Sequence, residues 1–177
     1  MKIERIWAMP NKWTFTIKPI KILLVEEETD NGLWADPFCG KYSPAQHTND
    51  LNISIPTDNH EDALEFLRKL VNNKYDGVLF DPPYSITQAK QNYGGYGMNK
   101  LNVKPTSMKY WVECKNEIAR IIKPGGKAIC FGWNSMGLGK NREFKMKRIL
   151  LVPHGGSKND TIVTVEKKIK LNNLGII

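Results

Sequence analysis

The sequence predicts an α/β protein: a mostly parallel sheet, covered on both faces, with a C-terminal antiparallel hairpin. Three observations carry that expectation. Apolar strand-like runs alternate with helical patterns along most of the chain, an order that builds parallel sheets with helices on both sides. The last two runs are separated only by "PHGGSKND", too short for a crossover, so they pair as a hairpin. The chain has 177 residues and shows no repeat or low-complexity linker. That length suits one domain, residues 1–177, with a sheet of about five to seven strands.

Taken in order, the first helix is "IKPIKILLVEEE" (17–28), with Pro19 tolerated in its first turn. A strand follows at "LWADPF" (33–38), and a more polar one at "HTNDLNISI" (47–55). "NHEDALEFLRKLVNN" (59–73) aligns Ala63, Leu64, Leu67, Leu70 and Val71 on one helical stripe. "YDGVLFDP" (75–82) is the most apolar strand. "SMKYWVECKNEIARIIKPGG" (107–126) aligns Tyr110, Trp111, Cys114, Ile118, Ile121 and Ile122, and should stop at Pro124 and Gly125. Strands at "KAICFGW" (127–133), "RILLVPH" (148–154) and "TIVTVEKK" (161–168) complete the sheet. Only "KYSPAQ" separates Gly40 from the next strand. A parallel crossover normally needs about a dozen residues, so the first crossover helix should be short or missing.

Composition narrows the setting. Hydrophobic residues make up 41%, and no apolar run reaches membrane-spanning length. "MKIERIWAMPNKW" lacks the apolar core of a signal peptide. Cys39, Cys114 and Cys130 are odd in number and far apart, giving neither a metal-ligand spacing nor a disulfide framework. A cytoplasmic, reducing location without metal or membrane is expected. The net charge of +8 suits a polyanion such as nucleic acid, although a solvated lysine-rich surface has the same composition.

The chemistry concentrates at strand ends, where ligands bind on such sheets. In "DPFCG", Asp36 can pair with an amino group, Phe38 can pack on an apolar ligand surface, and Gly40 permits a close backbone approach. Asp50 ends the next strand, where a carboxylate can accept ribose hydroxyl protons. Asp62 opens a helix, where an acid also serves the helix dipole. Acids near the ends of successive strands line one crevice. "DPPY" (81–84) is a stiffer corner. Pro82 and Pro83 remove two backbone donors and fix two φ angles, and the residue before a proline is pushed to an extended conformation. The corner projects the Asp81 carboxylate, bare carbonyls and the Tyr84 ring. An aromatic amino group is a poor nucleophile because its lone pair is delocalised into the ring. Two acceptors on its hydrogens, Asp81 and the Pro82 carbonyl, localise that pair, while Tyr84 offers a stacking face.

These residues resemble the S-adenosylmethionine-dependent amino-group DNA methyltransferases, and the resemblance extends over nearly the whole chain. "DPFCG" looks like their cofactor loop, which implies contacts from Asp36, Pro37, Phe38 and Gly40. "DPPY" looks like their catalytic loop, with Asp81, Pro82, Pro83 and Tyr84. "NHEDALEFL" is similar to the segment whose acid contacts the cofactor adenine, here Asp62 followed by Ala63. "KWTFTIKPIKILL" resembles the N-terminal segment that closes over the methionine end of the cofactor, implicating Thr14 and Phe15. "IKPGGKAICFGW" resembles the helix-to-strand passage after the catalytic loop. In particular the chain resembles the small adenine methylases of bacterial viruses. It implies a Rossmann-like methyltransferase fold, S-adenosylmethionine as cofactor, and transfer of a methyl group to the adenine amino nitrogen of DNA. Two alternatives stay open: an RNA base as substrate, and a nucleic-acid-binding protein that keeps the fold with weak catalysis.

The chain departs from the family pattern in two ways. "GKYS" replaces the usual second glycine, and the short first crossover thins one flank of the cofactor site, which implies either weak cofactor binding or a pocket completed by a second subunit. No separate target-recognition domain is expected within residues 1–177. Nucleic acid would meet "SITQAKQNYGGYGMNKLNVKPT" (85–106), where Tyr93 or Tyr96 can fill the space of a flipped base. It would also meet "NSMGLGKNREFKMKR" (134–148), which gathers Lys140, Arg142, Lys145, Lys147 and Arg148 for phosphate contacts.

Overall fold

The computed structural model describes residues 1–83, 108–156 and 159–169. Among them the strands are β1 (Lys2–Arg5), β2 (Trp34–Asp36), β3 (His47–Thr48), β4 (Tyr75–Phe80), β5 (Ile122–Gly132), β6 (Phe144–Val152) and β7 (Thr161–Lys168). The helices are α1 (Lys18–Glu26), α2 (Ala63–Lys69) and α3 (Met108–Ile121). One sheet runs in the order β1-β6-β7-β5-β4-β2-β3. Strands β2, β3, β4 and β5 are mutually parallel. Strand β7 runs antiparallel between β5 and β6, and β1 lies parallel to β6 at the far edge. The carboxyl ends of β1, β2, β3, β4, β5 and β6 therefore share one edge of the sheet.

Alternation along the strands splits the core into two layers. Val78, Phe80, Ala128 and Cys130 face α2 and α3, packing on Leu67, Tyr110, Cys114 and Ile118. Leu79, Ile129 and Phe131 point the other way, onto Ile20, Leu23 and Leu24 of α1. The pairing of β2 with β4 depends on a missing side chain. The Trp34 ring lies across Gly77 of β4, and a Cβ there would stand 2.2 Å from it. That register puts Asp36 level with Leu79, two residues before Asp81, at the same end of the sheet.

The expected short first crossover is present: residues 37–46 between β2 and β3 contain no helix, and the β6–β7 hairpin is antiparallel. Several boundaries differ from the sequence reading. Strand β3 keeps only two residues of the 47–55 run, because Asp50 and Asn52 side chains take the Asn52 and Ser54 N–H groups and turn the chain. Helix α2 begins at Ala63 rather than 59, with Asp62 as its N-cap, and Val71, expected on its buried stripe, is exposed. Helix α3 ends at Ile121, ahead of Pro124 and Gly125. Its last carbonyls are taken by the N–H groups of Asn73 and Lys74 and by the Lys168 ammonium, so it ends without a glycine cap. Ile122 then pairs with Tyr75 and opens β5, and the Pro-Gly-Gly run sits in an irregularity before Lys127 rejoins the ladder. Strand β1 gave no clear signal in the sequence: four residues at a sheet edge, largely exposed, carry little hydrophobic pattern.

Candidate active site

The first acidic loop follows β2 directly. Asp36 is fully buried. One carboxylate oxygen accepts the Phe38 N–H at 3.0 Å and the other the Ser43 hydroxyl at 2.6 Å. Burial pushes its pKa up to about 8; the Ser43 and Phe38 hydrogen bonds oppose that rise, and the charges of Asp81 and Asp50 reinforce it. Asp50 accepts the Gly40 N–H at 3.0 Å and the Asn52 N–H at 2.8 Å, and burial raises its pKa too. The loop must turn sharply to bring Gly40 onto Asp50, and Gly40 does so at φ 55, in the region that glycine occupies without strain. The ring of Trp13 lies over it, 3.4 Å from where a Cβ would stand.

The second corner is adjacent. Phe80, the last residue of β4, meets Phe38 edge to face with ring centroids 5.9 Å apart, so the two loops share an aromatic contact. Pro82 and Pro83 are buried and Asp81 is half-buried. The 3-10 turn Thr14–Thr16 crosses the same edge. Phe15 is buried against Phe131 of β5 at 5.3 Å, and the pairing of Phe80 with Cys130 makes Phe131 level with Asp81. Thr14 lies in the segment just before it, and Pro37 gives its carbonyl to Asn49 Nδ2.

Asp62 holds a different post. It caps α2 through the Leu64 and Glu65 N–H groups and accepts the Tyr110 hydroxyl at 2.8 Å, so the position expected to meet a cofactor also clamps α2 to α3. Ala63, next to it, is buried. The residue that sequence reasoning missed is Asn49. It is buried; its amide donates to Pro37 O and Glu61 O, and its side-chain oxygen accepts the Glu61 N–H. Its backbone receives the Cys39 N–H and donates to Asp36 O. One side chain thus ties the loop after β2 to the segment leading into Asp62. A polar residue at the end of a strand run, in "TND", was the available signal.

Other expected site residues are not brought to this edge. Lys145, at the amino end of β6, pairs with Lys167, and Lys167 with Lys127 of β5. That row lies roughly 13 Å along the strands from the level of Asp81, at about 3.3 Å per residue. Lys140 and Arg142 precede β6 on the same side, and Arg142 is engaged with Asn116 and the Leu138 carbonyl. Arg148, grouped with them in the sequence, is buried and ion-paired with Glu4 and Glu26. The basic segment therefore sits toward the opposite edge, because the chain descends after Gly132 before β6 climbs back. Tyr84, Tyr93 and Tyr96 lie outside the described residues. Among the described residues, no helix is long and apolar enough to cross a membrane.

No protein-family model and no curated sequence matches the chain. Solved structures do. The N-methyltransferase NodS of Bradyrhizobium japonicum WM9 aligns with a TM-score of 0.54 at 7% identity, over 86% of this chain and 96% of its own. The 1,6-didemethyltoxoflavin-N1-methyltransferase of Burkholderia thailandensis, solved with S-adenosylhomocysteine, aligns at 0.52 and 10% identity, over 86% and 84%. TrmN of Thermus thermophilus aligns at 0.53 and 16% identity, over 86% of this chain and 49% of its own. This chain has the methyltransferase fold. At such identities the likeness establishes the architecture, and the chemistry must be argued from the residues.

Proposed function

We propose that this chain is an S-adenosylmethionine-dependent methyltransferase acting on the exocyclic amino nitrogen of adenine in DNA. One observation carries the reading. Asp36 and Asp50 crowd the carboxyl edge beside Asp81, and no Lys or Arg pairs with Asp36 or Asp50 among the described residues. Burial that penalises the ionised form of Asp36 and Asp50 is offset when a cationic ligand binds beside them. S-adenosylmethionine carries a sulfonium and an α-ammonium, and supplies an activated methyl group when bound.

This chain's residues fit that group. Asp36 would hold the ammonium and Asp50 the ribose hydroxyls. Gly40 leaves room where a Cβ would crowd, and Phe15, Phe38 and Pro37 exclude water. Asp62 and Ala63 mark the adenine end, and Thr14 the methionine end. At the next strand end, the Asp81 carboxylate and the Pro82 carbonyl accept the two amino hydrogens of the target base. They stabilise a more tetrahedral nitrogen, an effect felt mainly in the transition state. Stiffness matters here: two consecutive prolines hold both acceptors without reorganisation. Tyr84 would stack on the base. The likeness of "DPFCG" and "DPPY" to the adenine methylases of bacterial viruses supports adenine over other amino groups.

The test is transfer of a labelled methyl group from S-adenosylmethionine to unmethylated DNA and, in parallel, to RNA, followed by nucleoside analysis. N6-methyladenine in DNA is the expected product. Label in RNA alone moves the substrate, and label in neither removes the catalytic reading.

A further inference from the structure

Strand β1 lies at one end of the sheet, and among the described residues no strand pairs with its outer side. The ladder to β6 uses every second residue of this segment: the Ile6 N–H donates to Leu151 O and the Ala8 N–H to Pro153 O. In a parallel pair the residues in between turn their N–H and C=O the other way. Ile3 and Arg5 therefore present backbone donors and acceptors outward. Side chains alternate as well. Glu4 points to the α1 face, where Arg148 joins it to Glu26. Ile3 points to the other face and is 59% exposed. It stands in one row with Ile149 of β6 and Thr164 of β7. Neither core layer takes in Ile3, Ile149, Leu151 or Ile162, so this end of the sheet keeps an apolar face outside the core.

Charges on an edge strand commonly keep other strands from adding to it. Those of β1 are placed to accept a second β1. In an antiparallel pair about a two-fold axis, outward backbone must meet outward backbone, so the axis passes at a residue and not between two. Four such centres lie within β1. An axis at Lys2, Glu4 or Arg5 sets that charge against its own copy, which is unfavourable. An axis at Ile3 opposes no like charges. It sets Ile3 on Ile3 with both hydrogen bonds exchanged, Lys2 on Glu4 twice, and Met1 on Arg5. Lys2 reaches Glu4 of its own strand at 2.9 Å with its side chain 60% exposed, which leaves it room to bridge to the other copy. On the face away from α1, an isoleucine row then runs unbroken from Ile149 through both copies of Ile3 to the second Ile149. We propose that β1 is a homodimer interface, to which a second copy of this chain adds its own β1, antiparallel about a two-fold axis at Ile3. Rotation about that axis points the two carboxyl edges in opposite directions. Strands β2 and β3, which carry the Asp36 and Asp50 loops, lie at the far end of the sheet from the axis, so neither copy contributes to the other's site.

The experiment uses the full chain. Sedimentation equilibrium from about 1 to about 300 µM should show reversible dimers with a dissociation constant on the order of 10–100 µM, as so short an interface implies. Ile3→Pro removes an outward N–H without touching the ladder to β6, and should leave only monomer across that range. Lys2→Glu turns two attractions into repulsions and should weaken the dimer about 10-fold. Added cysteines read the register. Cys39, Cys114 and Cys130 are buried, so a cysteine placed on β1 dominates mild oxidation. Ile3→Cys should give a disulfide-linked dimer, because the facing Cα atoms stand about 5.5 Å apart. Arg5→Cys should give none, since its two copies lie about 13 Å apart along the strands. Monomer at every concentration overturns the proposal. So does a dimer that Ile3→Pro leaves intact, or one that Arg5→Cys links and Ile3→Cys does not.

Discussion

Acidic residues at the two ends of the same sheet meet opposite fates. At the amino edge Asp76 accepts the Leu33 N–H and pairs with Lys123, and both hold its pKa below the ordinary carboxylate value. Glu27 pairs with Lys127 across to β5, and further along the sheet Glu4 and Glu26 share buried Arg148. At the carboxyl edge Asp36 is more deeply buried and receives only a hydroxyl and an N–H. Desolvation dominates there and its pKa rises to about 8. The amino-edge acid Asp76 is given a cation, whereas Asp36 and Asp50 are held by hydroxyl and N–H donors of their own loops. The same contrast separates two groups of basic residues. Arg148 is spent on structure, while Lys145 and Lys167 face each other at the amino edge, away from Asp81.

The largest expected effect is at Asp81. Asp81→Ala should cut methyl transfer by roughly 10²–10³ or more, as removal of a transition-state acceptor does, and leave cofactor affinity within a few-fold. Single-turnover kinetics beside calorimetric titration will separate the two, and near-normal turnover would reassign the residue. Next in size is Arg148→Ala, in mid-sheet on β6. It removes a buried guanidinium from between Glu4 and Glu26, leaving Glu4 to Lys2, and should cost about 1–3 kcal/mol of stability in denaturant melts, with cofactor affinity unchanged.

Asp36 gives a smaller effect with a definite sign. Its folded-state pKa lies above the ordinary value of 3.8, so the folded protein holds the proton more tightly than the unfolded chain. The stability this contributes is full below about pH 4 and is lost as the pH rises toward 8. Asp36→Asn should flatten that decline in melts taken from pH 4 to 9. Cofactor binding runs the opposite way, because a cationic ligand favours the ionised carboxylate. At pH 6.5, where the ligand's own α-amino group is protonated, binding should release close to one proton. Calorimetry in two buffers of different ionisation enthalpy reads that number, and zero release would mean that Asp36 never meets the cation.

The smallest effect is expected at the basic segment. Replacing Lys140, Arg142 and Lys145 with alanine should change the log–log salt slope of DNA binding by less than the roughly 0.9 that one lost duplex phosphate contact gives. A drop of two or three such units would mean that DNA also wraps the amino edge, and the comparison between the two edges would need redrawing.

Much of this architecture was legible in the chain. Alternating apolar runs gave the layers, because burial on a sheet or a helix imposes its own period. "KYSPAQ" gave the missing crossover helix, since a connection that short has no room for one. "DPFCG" and "DPPY" gave the two loops, because proline and glycine restrict the backbone wherever they stand. What the sequence left undetermined was which end of the sheet each charge would reach. Lys145 and Arg148 sit three residues apart, yet one is exposed at the amino edge and the other is buried against Glu4 and Glu26. Their surroundings come from β1 and α1, more than a hundred residues earlier. Asn49 could not be read as a clamp until Pro37 and Glu61 were brought to it from either side. Nor could Ile3 and Ile149 be read as neighbours in one row until β1 was seen beside β6. Local preference is written residue by residue, whereas partnership across the sheet exists only once strand order and register are set.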